Sequence, residues 1–349
     1  MLTVAILGAG SIAFGAAALL ARQGHAPILW SPSGSGAAGL ADAPLLASGV
    51  VAGVFHPKVA ASCAEALAAA DAVLLAVPGY GHRRVLETAA ALLRPGQTVL
   101  YSSHMSLGAL FLDRLLQARG VVLPIVAWGT TIVTGRRTGP AAVHVGSVRA
   151  QVDVAALNDD GRALALCCSL FGDRFVPRDG LLAIALSNLN PQNHLAIALC
   201  NLTRMEKGER WRQNAHITPA VARLMLALDA ERLGLAQAFG LPVRTLEQHF
   251  HLSFDVPLTS MAEMAQELST RDSDPWGPAT LETRYVLEDL PFGIAPLLRI
   301  AEAAEMDLPL HRGGLAMFSA LYGRDLAADN DLLPRLGVLD RAALAALKR

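Results

Sequence analysis

Thr3-Val4-Ala5-Ile6-Leu7 runs without a break into Gly8-Ala9-Gly10-Ser11-Ile12-Ala13, and from there into the apolar stretch Phe14 to Gln23. The first five residues are a short apolar run of the kind found in a strand buried on both faces. The last stretch has the length and composition of a helix. Between them, Gly8 permits a tight turn, Gly10 removes a side chain that would block a pyrophosphate, and Ala13 lets the helix lie close to the strand. The first turn of such a helix presents free backbone N–H groups, here those of Ser11, Ile12 and Ala13, to a phosphate. Strand, glycine turn and helix in that order predict a dinucleotide site at the head of a parallel sheet.

The rest of the first half extends that sheet. Pro27 to Trp30 is a second strand, whose end meets the adenosine ribose in such a fold. An Asp or Glu there selects NAD by bonding the 2′-hydroxyl; this chain has Trp30-Ser31-Pro32-Ser33, and the next carboxylate is Asp42. Ser31 can donate to either cofactor, no Arg or Lys stands nearby in sequence, and the missing anion tilts the reading from NAD to NADP. Ala72 to Val77 is a further buried strand, ending in Pro78-Gly79-Tyr80-Gly81, a loop suited to pass over a cofactor. Pro78 and Tyr80 are therefore candidate cofactor contacts. Strands over 97–101 and 121–127 follow. The alternating segment from Thr130 to Leu157 reads as antiparallel strands added at the end of the sheet. Asn158 to Gly161 opens a helix, Phe175 to Pro177 is a last strand, and the nucleotide domain ends near residue 180.

From residue 181 to 349 the apolar periodicity is helical throughout: 195–209, 220–239, 243–250, 294–305 and 315–321. Two clusters carry chemistry. In Asn190-Pro191-Gln192-Asn193-His194, Asn190 reads as an N-cap and Pro191 as the first helical residue. Asn190, His194 and Asn201 fall within about 40° of one another at 100° per residue, a polar stripe on an otherwise apolar helix. In Arg284-Tyr285-Val286-Leu287-Glu288-Asp289-Leu290-Pro291-Phe292-Gly293, the Arg fork suits a carboxylate and Asp289 could orient an imidazole. Each cluster also has a plainer reading, a capped helix and a structural Arg284–Asp289 ion pair.

Composition bounds the partners. Of 349 residues, 53% are hydrophobic and 17% charged, which excludes a disordered chain. A net charge of −1 gives no footprint for nucleic acid. Four cysteines without a CxxC pair read as reduced thiols of a cytoplasmic protein, and no metal is expected. The opening run lacks a basic n-region and is broken by glycines, and no stretch reaches the length of a membrane span. The expected partners are small molecules. A homodimer is compatible with the sequence, which does not fix the oligomeric state.

The chain resembles the octopine/nopaline (opine) dehydrogenase family over nearly its whole length. The resemblance rests on GAGSIA, Val77-Pro78, the hairpin from Gly135-Arg136-Arg137 to Val145, Asn190-Pro191 with His194 and Asn201, and the segment from Arg284 to Gly293. It departs at Ser102-Ser103-His104-Met105-Ser106, where a Pro-Gly turn is expected. The resemblance implies a Rossmann-type doubly wound domain over 1–180 and a helical substrate domain over 181–349, with the active site in the cleft between them. It implies NAD(P)H-dependent reductive condensation of a 2-oxo acid with an amino acid. His194 is then the acid/base, Asp289 its support, Arg284 the carboxylate anchor, and Asn190 and Asn201 substrate contacts. A hydroxyacid dehydrogenase or ketopantoate-reductase-like enzyme shares the plan, but many of those place a catalytic Lys where Asn193-His194 stands. A nucleotide-sensing regulator without catalysis is the non-enzyme alternative.

Overall fold

The computed structural model describes residues 1–159 and 161–348. It divides into two compact units, Met1–Ile184 and Ala185–Lys348. Asp160, in the expected helix opening, and Arg349, at the end of the expected helical domain, lie outside the described residues.

The first unit is built on an eight-stranded sheet of order β12-β11-β8-β7-β6-β1-β2-β5. Its strands are β1 (Thr3–Leu7), β2 (Ala26–Trp30), β5 (Lys58–Val59), β6 (Ala72–Leu75), β7 (Thr98–Tyr101), β8 (Ile125–Trp128), β11 (Val152–Leu157) and β12 (Phe175–Pro177). All pairings are parallel except β11 against β8. Val4, Ala5 and Ile6 are wholly buried, as a central strand covered on both faces requires. The helices are α1 (Ser11–Arg22), α2 (Cys63–Ala68), α3 (His82–Ala90), α4 (Gly108–Gln117) and α5 (Ala163–Phe171). β1 lies between β2 and β6, so chain connections leave it in opposite directions, and the carboxyl end of β1 is the switch point where open α/β sheets bind ligands.

The alternating segment after residue 130 does not extend this sheet as expected. Only β11 joins it. β9 (Val133–Gly139) and β10 (Ala142–Val148) form a second sheet with β3 (Leu45–Gly49) and β4 (Gly53–Phe55), in the order β4-β3-β10-β9. The cause lies in α1. Every residue from Ala13 to Leu20 is buried, and a helix apolar all round needs cover on both sides. The main sheet supplies one cover and the β9–β10 hairpin the other. A Cβ on Gly15 would stand 2.9 Å from Val133 Cγ2, so this glycine sets the approach of helix to hairpin.

The departure after β7 is a strained loop. Ser103, Ser106 and Leu107 all have φ near +54°, where non-glycine residues are uncommon. In the same region Tyr101 Oη bonds the buried His82 Nδ1 at 2.7 Å. Burial, with a smaller contribution from His82, pushes His104 down to about 3, so its imidazole is neutral.

After α6 (Gly180–Ser187), in which the division falls, the second unit is helical: α7 (Asn190–Cys200), α8 (Leu202–Glu206), α9 (Pro219–Ala238), α10 (Leu246–Phe254), α11 (Met261–Ser269), α12 (Arg284–Leu287), α13 (Ala295–Ala303), α14 (Pro309–Leu321) and α15 (Arg341–Ala346). A π-helical turn at Leu290–Ile294 joins α12 to α13. A Cβ on Gly314 would lie 2.7 Å from Leu195 Cδ1, so α14 meets α7 at a glycine.

Candidate active site

The first locus is the glycine turn. Gly8 has φ +140°, and a Cβ there would lie 2.2 Å from the Ala76 carbonyl oxygen, so only glycine fits. Gly10 differs: a Cβ would meet nothing within 4 Å, because it would project into open space. Gly10 is the N-cap of α1, with no side-chain cap and no acidic residue in the first turn, so the first N–H groups are left to an outside acceptor. Ala13 is wholly buried against the strand. Ser11 Oγ already accepts the Arg137 N–H at 3.0 Å.

Arg137 is a residue whose part in this locus the sequence does not show. Its guanidinium donates to the carbonyls of Ala9 (3.1 Å), Gly36 (2.8 Å) and Pro140 (2.6 Å) and lies 4.4 Å over the Phe14 ring. A hairpin side chain thus fixes the turn and sets a permanent positive charge beside it.

A cavity of about 440 Å³ opens at the turn, walled by Gly8, Gly10, Ser31, Ser33, Pro78, Tyr80 and Arg84 among others. Ser31 Oγ, Ser33 Oγ and Ser35 Oγ form a hydroxyl chain with spacings of 3.2 and 3.0 Å. Tyr80 is 67% exposed on its turn. A second cavity of about 540 Å³, sharing Ser31, is lined by Ala37, Leu40, Pro57, Val59 and Ala60 with no charged side chain. A turn closed to any Cβ at Gly8, an open cradle at Gly10 and an uncharged slot beyond the serines fit a pyrophosphate, a ribose and an adenine in that order.

The second locus is built by α7 and the 284–294 segment. Gly293 lies so close to α7 that a Cβ would stand 2.2 Å from Pro191 Cγ. That contact sets the first turn of α7 against the π-helical turn, and it brings two motifs about a hundred residues apart together. Gln192 fixes α7 from another side: its Nε2 donates to Asp229 Oδ1 at 2.7 Å, in a buried network with Arg232 on α9.

His194 Nδ1 and Asp289 Oδ2 are 2.7 Å apart; the carboxylate is 1% exposed and the imidazole 14%. With Nδ1–H donating to the carboxylate, Nε2 is the nitrogen left for other chemistry. Tyr285 stacks on the imidazole, with centroids 3.6 Å apart and planes 12° apart, and its hydroxyl donates to Gln213 Oε1. Burial pushes the Tyr285 phenol up to about 12, so it stays protonated. In the sequence, no periodic signal marks Tyr285 beside Arg284.

Arg284 begins α12, is 60% exposed and faces Glu288 Oε2 at 3.7 Å. The structural Arg284–Asp289 pair is absent, since Asp289 is held by His194. Asn190 is not the N-cap: Leu189 holds that position, and Asn190 is the first helical residue, exposed, its N–H bonded to Asn188 Oδ1 at 3.2 Å. Asn201 ends α7, with Nδ2 bonded back to the Ile197 carbonyl at 2.9 Å, the plainer reading of that residue. Among the described residues no His/Cys/Asp/Glu group suited to a metal ion occurs, and no helix is long and apolar enough to cross a membrane.

A glycine turn at the switch point of an open parallel sheet, and a helical unit carrying a His–Asp pair with a buried carboxylate, are the plan of two-domain dehydrogenases. Residues 177–322 match the family described as NAD/NADP octopine/nopaline dehydrogenase, alpha-helical domain, and residues 4–158 match ketopantoate reductase PanE/ApbA. An opine dehydrogenase of Arthrobacter sp. (strain 1C) is 29% identical, covering 96% of this chain and 95% of its own. A vitopine synthase of Allorhizobium ampelinum is 25% identical over 95% and 96%. Among solved structures, octopine dehydrogenase with NADH and L-arginine gives a TM-score of 0.82 over 100% of this chain and 98% of its own, at 16% identity, a likeness of fold. The helical unit thus matches the octopine/nopaline dehydrogenase model, and over nearly its whole length the chain is similar to opine dehydrogenases.

Proposed function

We propose that the protein catalyses NAD(P)H-dependent reductive condensation of a 2-oxo acid with the amine of an amino acid. The overall change joins amine and oxo acid as a secondary amine, releases water, and consumes one NAD(P)H and one proton. The observation that carries this reading is the His194–Asp289 pair with its buried carboxylate, Nε2 not held by that carboxylate and the Arg284 guanidinium on the same short segment as Asp289. Similarity to opine dehydrogenases over nearly the whole chain supports it. Solved octopine dehydrogenases hold NADH with L-arginine or with pyruvate, and a yersinopine dehydrogenase holds NADP⁺.

When bound, the dinucleotide supplies hydride to the imine carbon; the chain's own residues do the rest. Arg284 holds the oxo-acid carboxylate by two parallel hydrogen bonds and fixes the face of the carbonyl carbon. His194 Nε2 donates a proton to the hydroxyl that leaves as water when the carbinolamine collapses to the imine. It also takes the proton released from the attacking amine. Asp289 keeps the ring in one tautomer and stabilises the imidazolium while the proton resides there. Tyr285 keeps the ring plane fixed by stacking. The glycine turn, Ser11 to Ala13, Ser31, Pro78 and Tyr80 bind the dinucleotide. Burial pushes the free thiols Cys63 and Cys167 up to about 11 and 12, so they stay protonated and take no part in this chemistry.

The test is NAD(P)H oxidation with pyruvate in the presence and absence of a panel of amino acids. Turnover that requires the amine supports the proposal; equal turnover without it favours a hydroxyacid dehydrogenase. Arg284→Lys keeps the charge and loses the fork, so KM for the oxo acid is expected to rise ~10-fold or more. An unchanged KM with a lowered melting temperature would instead assign Arg284 to the Glu288 ion pair.

A further inference from the structure

In the sequence no cation stands near the end of β2. The fold supplies one from further along the chain: Arg84, on the first turn of α3, lines the same 440 Å³ cavity as Ser31 and Ser33. Its neighbour Arg83 is paired with Glu87 at 3.3 Å. Arg84 is not: among the described residues its guanidinium has no hydrogen bond or ion pair, and the one side-chain bond to this residue, from Thr88 Oγ1, goes to its backbone carbonyl. Among the described residues no Asp or Glu lines either this cavity or the uncharged slot beside it. A carboxylate here would repel a phosphate and accept from a ribose hydroxyl, and the site has the opposite character. Hydroxyl donors and an unpaired fork lining one cavity fit a dianion on the ribose.

We infer that Arg84, with the Ser31 and Ser33 hydroxyls, grips the 2′-phosphate of NADP(H) and makes this the preferred dinucleotide. The inference rests on the dinucleotide-dependent reading proposed above and deepens it by naming the residue that discriminates between the two cofactors. Arg84 works here as a fork for phosphate oxygens, which a carboxylate-free and otherwise uncharged wall leaves without a competitor. The free energy of the neighbouring glycine turn is common to both cofactors, so discrimination falls on this wall alone.

The experiment is equilibrium binding by the native chain and by Arg84→Gln, Arg83→Gln and Ser33→Asp. The titrants are NADPH and NADH, and the fragments adenosine 2′,5′-bisphosphate and 5′-AMP. The native chain is expected to bind NADPH and the bisphosphate more tightly than NADH and 5′-AMP. Arg84→Gln should weaken both 2′-phosphorylated ligands ~10- to 100-fold, the loss of charge-assisted hydrogen bonds, and leave NADH and 5′-AMP little changed. Ser33→Asp should reverse the preference, and Arg83→Gln should leave it intact. Arg84 is exposed, so its replacement does not threaten the fold, and melting curves of the variants verify this. Equal weakening of NADH and NADPH would assign Arg84 to the pyrophosphate and overturn the inference. A native preference for NADH would overturn it while leaving the dinucleotide reading in place. Binding of neither cofactor would overturn both.

Discussion

His194→Ala is expected to lower kcat by ~10²–10⁴-fold, the range for a lost general acid–base, with little change in dinucleotide affinity. The reasoning follows from the geometry. The imidazole is held on one edge by Asp289 Oδ2 at 2.7 Å and on one face by the Tyr285 ring at 3.6 Å. A ring so constrained can work only through Nε2. Asp289→Asn tests the same unit from its buried end. An amide in that place can offer N–H to Nδ1, which moves the ring proton to Nε2 and removes the acceptor the reaction needs. It should therefore lower kcat with the fold intact, whereas a purely structural pair would lower the melting temperature and spare turnover. Tyr285, raised to about 12, adds no titration in the physiological range. A pH–rate limb near neutrality would therefore belong to another group.

The second large effect is on stability. Asp229→Ala is expected to destabilise the helical unit by ~3–5 kcal/mol, the cost of leaving a buried charge unpaired. Arg232, 1% exposed, lies 2.8 Å from Asp229 Oδ1 and also donates to the Leu186 and Arg244 carbonyls. Asp229 in turn accepts from Gln192 Nε2 and from the Leu246 N–H. Removal of the carboxylate strands a guanidinium, an amide and a backbone donor together. Because Gln192 precedes His194 by two residues, Asp229→Ala should also lower kcat at temperatures where the chain is still folded. Urea unfolding followed by far-ultraviolet circular dichroism, alongside steady-state rates, separates the two effects. A variant as stable as the native chain would show that Arg232 finds another partner.

What was legible in the sequence depended on the range of the signal. β1, the glycine turn and α1 were readable because strand, turn and helix are contiguous and each residue has a local reason. The second sheet was not. β3 and β4 are half-exposed and short, and β10, the partner of β3, lies about a hundred residues away, so alternation alone assigned the hairpin to the wrong sheet. The clue was present in α1, whose uninterrupted apolar surface demands two covers. Helix α11, unread in the sequence, carries a capping box at Ser260 and Glu263 that marks its start. At the second locus, the motif residues were visible as a polar stripe and an Arg/Asp segment. Their meeting depends on Gly293 admitting Pro191, a contact no periodicity records. Arg84 and Arg137 were hidden for the same reason: each reaches its cavity or turn from an element remote in sequence.

The most direct measurement is the fate of label from a 4-deuterated NAD(P)H incubated with pyruvate and an amino acid. The account predicts one labelled product, a secondary amine joining both substrates, with deuterium on the former carbonyl carbon. Deuterium found instead in a 2-hydroxy acid, with the amino acid recovered unchanged, would contradict it.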